Sequence, residues 1–252
     1  MSRSSRLRAE ISAAGRAFLR RRTAVFFTFV FPLLLVVIFG ALITTESGGG
    51  LFTEHAVYYV PGYLAVVVLF TPLSRVGSEV ARHREDNRFE KLATTPLRRS
   101  EWLLAGTAVN LAIIGIAGLL ILALMVLLTG AAIVVTPTSI LLIVAFVVAG
   151  VACFCGVGAI LGSLTDSQDG VIAASNTLAL PLLFLSETFV PPAMLPGWLP
   201  TGLSPLTYFS RGTRAVASTP GVESSVLVDL GILAVLAVFA LLLGAWTLPR
   251  TD

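Results

Sequence analysis

The sequence predicts an all-α membrane protein with six transmembrane helices, and three observations predict it. Of 252 residues, 56% are hydrophobic and only 12% are charged, and the mean hydropathy is +0.92, too apolar for an ordinary soluble domain. The apolar residues fall into six runs, each near the length of about 20 residues that a bilayer core requires. The arginines gather beside those runs and mostly on one side of them, which reads as orientation in a membrane and not as a face that tracks nucleic acid. The chain 1–252 therefore reads as a single transmembrane domain. Its accessory parts are an N-terminal interfacial helix at 1–23, a cytoplasmic segment at 75–101 and an outer hairpin at 186–225.

Residues 1–23 carry seven arginines and place Leu7, Ile11, Ala14 and Phe18 at spacings of four, three and four. That pattern predicts a basic amphipathic helix lying in the inner interface. A cleaved signal peptide is not expected, because the charged region is long and the apolar run after it reaches bilayer-spanning length. The six predicted spans cover 24–43, 56–73, 102–129, 139–162, 170–185 and 226–246. Pro32 and Pro181 fall inside spans, where a proline kinks the helix and frees a carbonyl.

Seven Lys and Arg residues lie in the first 23 positions, seven in 75–101 and one in the C-terminal tail, against two, Arg211 and Arg214, in the opposite loops. This bias places both termini and the 75–101 segment in the cytoplasm. That segment holds two short apolar pairs, Val76 with Val80 and Phe89 with Leu92, on an otherwise charged helix. A break at Thr94-Thr95-Pro96 follows, where Thr95 is placed to cap the next helix and Pro96 suits its first turn. The expected shape is an elbow, and its mixed charges suit a protein groove better than a lipid surface. On the other side, 186–225 is too apolar to float in water and too rich in proline to cross the bilayer. A re-entrant hairpin, or short helices seated against protein in the outer leaflet, is the physical compromise.

Catalytic and metal chemistry is not expected. His55 and His83 fall on opposite sides of the predicted membrane, so they share no metal site. Cys153 and Cys155 point about 200° apart on a helix, which rules against a disulfide between them. Lys91, the single lysine, lies in FEKLA and not in a phosphate-binding loop, so any nucleotide-driven work falls to a partner. Glu187 and Asp229 read as solvated span ends, and Asn110 and Asn176 as makers of interhelical hydrogen bonds. Gly158 and Gly162 permit close helix approach, within the chain or across a dimer.

Arg84–Gly106, REDNRFEKLATTPLRRSEWLLAG, and Leu185–Arg214, with LSETFVPPAMLPGWLP and LSPLTYFSRGTR, resemble the membrane subunits of ABC transporters of the type-2 export class. Asn87-Arg88 stands where that family often has Gly-Thr, and Glu187 where it often has Gly. The resemblance implies an ATP-driven exporter of a hydrophobic or amphipathic compound, such as a drug or lipid, in the plasma membrane. It implies a cytoplasmic ATPase partner that binds the ATP and Mg, and a second permease copy, with lipid around both. Carried over by position, Arg84, Glu85, Phe89, Glu90, Leu92 and Pro96 form the coupling elbow. Asn176, Glu187, Phe189 and Trp198 line the path or its outer gate. A free-standing secondary carrier or channel is the alternative; an internal inverted repeat or midplane charges would favour it, and the sequence has neither.

Overall fold

The computed structural model describes residues 3–38, 56–129, 136–218 and 223–249. Every regular element among them is helical: α1 (Arg3–Arg20), α2 (Arg22–Val37), α3 (Ala56–Glu85), α4 (Arg88–Ala93), α5 (Arg99–Thr129), α6 (Pro137–Leu164), α7 (Gln168–Leu185), α8 (Pro205–Ser218) and α9 (Ser224–Thr247), with 3-10 turns at Pro192–Met194 and Thr201–Leu203. Five of these, α3, α5, α6, α7 and α9, are long and apolar enough to cross a membrane. The first expected span appears as α2, whose 16 residues reach about 24 Å; the expected remainder, 39–43, lies outside the described residues, as do 219–222 of the outer hairpin.

Local chemistry sets several boundaries. Thr136 and Ser139 form a reciprocal cap on α6, each hydroxyl accepting the other's backbone N–H at 3.0 and 2.8 Å, with Pro137 in the first turn. Ser167 starts α7 by accepting the Gly170 N–H at 3.1 Å. The expected start of α5 is corrected. Thr94 and Thr95 donate their hydroxyls back to the carbonyls of Lys91 and Leu92 at 2.8 and 2.7 Å, so neither caps α5. The helix begins at Arg99 instead, because Glu101 in its first turn accepts the Arg98 N–H at 3.1 Å. Pro96 sits in the connection, exposed and outside the helix.

The core is a pair of seams around α6. Along α3, a methyl group on Gly162 would overlap the Gly77 carbonyl oxygen and lie 2.7 Å from Val80 Cβ, and one on Gly158 would lie 2.7 Å from the Leu73 carbonyl oxygen. Along α9, a methyl group on Gly156 would overlap the Ala240 carbonyl, and one on Gly244 would lie 2.7 Å from the Gly156 oxygen. The Gly158/Gly162 pair thus serves packing within the chain. Cys153 and Cys155 are buried free thiols.

Two expectations for the 75–101 segment and the N-terminal helix change. The span-2 helix does not stop near residue 73; it continues to Glu85, and Val76 and Val80 are buried, Val80 against Gly162 of α6. They offer no docking patch. The N-terminal helix has the predicted amphipathic face, with Ala14 and Phe18 packed with Val109 and Ile113. Arg6 meets Glu101 at 3.3 Å, so α1 runs alongside the first turns of α5 with its apolar face covered by protein.

Candidate functional site

Two polar constructions lie at opposite ends of the helices. At one end, α3 finishes, α5 begins, α6 turns into α7 and α9 finishes. Arg84 donates to the carbonyls of Ser163 and Thr165 at 2.9 and 2.8 Å, and Glu85 accepts the Gln168 N–H at 3.2 Å. These two side chains tie α3 to the α6–α7 turn, Glu85 from an exposed position. Arg99 donates to the Leu248 carbonyl at 2.9 Å and ties α5 to the end of α9.

Between α3 and α4 the chain reverses at Asn87, which has φ 51° and ψ 34°. It is the non-glycine residue with positive φ among those described, and asparagine tolerates this left-handed conformation better than most side chains. The reversal lays Phe89 over His83 and Trp102, at ring-centroid distances of 5.5 and 5.6 Å, and His83 stands 5.2 Å from Trp102. Phe89 is therefore a buried anchor, with Leu92 half-buried beside it, while Glu90 and Lys91 project to the exposed side of α4. The elbow has an inner face made for the bundle and an outer face of charge.

At the opposite end Glu187 and Asp229, expected as solvated span ends, are both buried. Arg211 of α8 corrects that reading. It donates to both Glu187 oxygens, from Nη2 at 2.9 Å and Nε at 3.4 Å, and stands 3.9 Å from Asp229. Its hydrogen bonds with Glu187 raise the guanidinium pKa above the ordinary arginine value, outweighing burial. Arg214, one turn on, stacks 3.8 Å from the Tyr58 ring centroid and donates to the carbonyls of Glu187 and Thr188 at 2.7 and 3.1 Å. Burial lowers its pKa from the ordinary value. Thr188 also exchanges a hydrogen bond with Ser210 at 2.8 Å. The outer segment is thus short turns and one helix seated on protein, pinned by two arginines.

The expected path residues do not form one group. Glu187 is locked in the ion pair. Phe189 packs edge-on to Tyr63 at 5.8 Å and closes over Gly62. Asn176 lies on the exposed face of α7, whereas Asn110 makes the expected interhelical bond, accepting from Arg75 at 3.1 Å. Trp198 is 80% exposed and away from the pinned cluster.

Sequence reasoning missed Glu101 as a junction. It is 2% exposed, and one carboxylate joins the α5 cap to Arg6 of α1. Its position three residues after Arg98 is the pattern of a capping glutamate, which was the available signal. Arg211 and Arg214 entered only as loop charges; their partners are 18 and more positions away in sequence, and no local pattern announces them.

The family model for the ABC-2 type transporter matches residues 7–217. No curated protein matches the chain.

Proposed function

We infer that this chain, which belongs to the ABC-2 type transporter family, is the membrane-spanning subunit of an ATP-driven exporter that moves a hydrophobic or amphipathic substrate, such as a drug or lipid, outward. Family membership and the apolar helices make it an integral membrane protein and the permease component of an ABC transporter. In the proposed assembly ATP and Mg are bound and hydrolysed on a separate cytoplasmic ATPase. The permease works as a pair in the plasma membrane, with both termini in the cytoplasm, as the positive-inside bias supports.

The observation that carries the reading is the two-faced elbow. Its inner residues, Phe89 and Leu92, anchor α4 to α3 and α5, while Glu90, Lys91 and Pro96 face outward. A partner that grips the outer face and changes shape with ATP displaces α3 and α5 together. Access switches because the two arrangements differ in affinity for ATP and substrate. Arg84 and Glu85 act in this scheme as braces that pass the motion to the α6–α7 turn. Pairing with a second copy is supported by α7, whose Val171, Ser175 and Ala179 are buried while Ile172, Asn176 and Leu180, about 100° around the helix, stand exposed.

The test is purification of the tagged chain from its native membranes in nanodiscs, with partners identified and ATP hydrolysis assayed. A stoichiometric P-loop ATPase is expected with the wild type and is lost on Glu90→Ala substitution without loss of membrane insertion. Recovery of the chain alone, or full ATPase recovery with the variant, overturns the coupling assignment.

A further inference from the structure

Where α4 and the first turn of α5 meet the last turn of α9, the surface sinks into a groove of about 540 Å³. Phe89, Leu97, Trp102 and Trp246 give it apolar walls, and Arg98 and Arg99 stand at its edge. Among the described residues, no carboxylate lines it. Glu101, the nearest in sequence to the two arginines, is turned to the Arg98 backbone N–H and to Arg6. Arg99 leans on the Leu248 carbonyl with one Nη, and Arg98 is exposed.

The position narrows the occupant. Both walls are span ends, α5 at its start and α9 at its finish, so the groove lies at the level where the bilayer meets water. Tryptophans paired with arginines are the residues that settle at that level. From the groove, the exposed apolar residues Leu104 on α5 and Leu242 and Leu243 on α9 continue away from the charged end along the surfaces that face lipid. One end of the site is cationic, and the other borders helices whose next exposed residues are apolar.

We propose that this groove is a binding site for an anionic phospholipid of the cytoplasmic leaflet. The headgroup phosphate is held by Arg98 and Arg99, and the glycerol and upper acyl chain lie against Phe89, Leu97, Trp102 and Trp246. A planar guanidinium matches a phosphate with two hydrogen bonds, and a basic pocket between span ends on this side is where anionic headgroups are recognised. The lipid would fill the gap between the elbow and α9 and brace α4 from beneath. The assignment stands independently of the ATPase partnership, since it uses the inner side of the elbow and not Glu90, Lys91 or Pro96.

The experiment is native mass spectrometry of the purified full chain, titrated in parallel with phosphatidylglycerol, phosphatidylcholine of the same acyl chains and glycerol 3-phosphate. The variants are Arg98→Gln/Arg99→Gln, and Arg20→Gln/Arg22→Gln as an equal loss of charge on exposed positions elsewhere. A retained size-exclusion profile and thermal midpoint show that each is folded. The wild type is expected to keep one phosphatidylglycerol at stoichiometric occupancy and to prefer it to phosphatidylcholine. The groove variant should bind it about thirtyfold more weakly, two attractions of the size usual for a basic residue at a membrane surface, and the control should bind as the wild type does.

Equal weakening in both variants would reduce the effect to general charge and overturn the site. So would equal retention of the two lipids. Competition by glycerol 3-phosphate at the same concentrations would make it a phosphate site without an acyl requirement and overturn the lipid assignment. Loss of a co-purified ATPase from the groove variant, with phosphatidylglycerol retained, would give the groove to a protein partner instead.

Discussion

Phe89 and Glu90 are adjacent in sequence and lie on opposite faces of α4, and this makes opposite predictions for them. Phe89 is 8% exposed and packs edge-on against Trp102 and close to His83. Its truncation to Ala removes a buried ring from the joint between α3 and α5, at a cost of about 3 kcal/mol, the lower end for Phe→Ala because this ring borders a groove and the site can partly collapse. Glu90 is exposed, and its truncation should change stability by no more than about 0.5 kcal/mol. In nanodiscs the Phe89→Ala midpoint should fall by about 6–12 °C while the Glu90→Ala midpoint stays put. ATPase recruitment should fail in both, in the first because the elbow is loosened and in the second with the fold intact. A leucine at position 89 should restore most of the midpoint, since it refills the site. The reasoning fails if Phe89→Ala melts with the wild type, or if Glu90→Ala melts as early as Phe89→Ala.

Two further outcomes test the packing and the charge. Gly162→Ala should destabilise the protein by about 1–3 kcal/mol or prevent its folding, because the methyl group overlaps the Gly77 carbonyl oxygen and neither helix backbone can yield cheaply. Gly231→Ala, with open space around it, should be neutral or slightly stabilising, and thermal melts of the pair in one detergent check this. Glu10 on α1 has its pKa raised above the ordinary 4.5, first by burial and then by Glu79. The folded chain therefore holds this proton more tightly than the unfolded one. The contribution favours folding below pH 4.5 and is lost as pH rises through the raised pKa. Glu10→Gln should flatten the decline in midpoint between about pH 4.5 and neutrality, and an unchanged profile would count against the burial of that carboxyl.

The apolar runs were legible because bilayer thickness fixes their length, and five of the six expected spans stand as long apolar helices. The amphipathic face of α1 was legible for the same reason of period, although the pattern alone did not say that α5 covers it. Val76 and Val80 show where such reading stops. A pair of valines four apart looks the same facing a partner protein as buried in the bundle, and the residue that receives Val80, Gly162, lies some eighty positions on. The boundary of α5 was misplaced because Thr-Thr-Pro is a competent start signal in isolation. The hydroxyls of Thr94 and Thr95 instead close the end of α4, and Glu101 supplies the cap. Glu187 shows the converse: a carboxylate at a span end reads as solvated until α8, a helix whose apolar and polar faces are both used, brings Arg211 to it.

Helix α3 joins the two polar ends, as α9 does through Asp229 and Leu248. Helix α3 begins at the outer cluster, where Arg214 stacks on Tyr58 and donates to its carbonyl at 3.4 Å, and it ends at the elbow, where Arg84 and Glu85 hold the α6–α7 turn. Between these points α3 and α6 approach backbone to backbone at Gly77, Gly158 and Gly162, with no space for even a methyl group between them. Close-packed seams of this kind shift as units and do not deform gradually. Under the proposed function, a displacement of α4 is therefore carried by α3 and α6 together to Arg214 and Glu187. The outer ion pair, held by Arg211 from a different helix, is the contact that has to break or follow when they move.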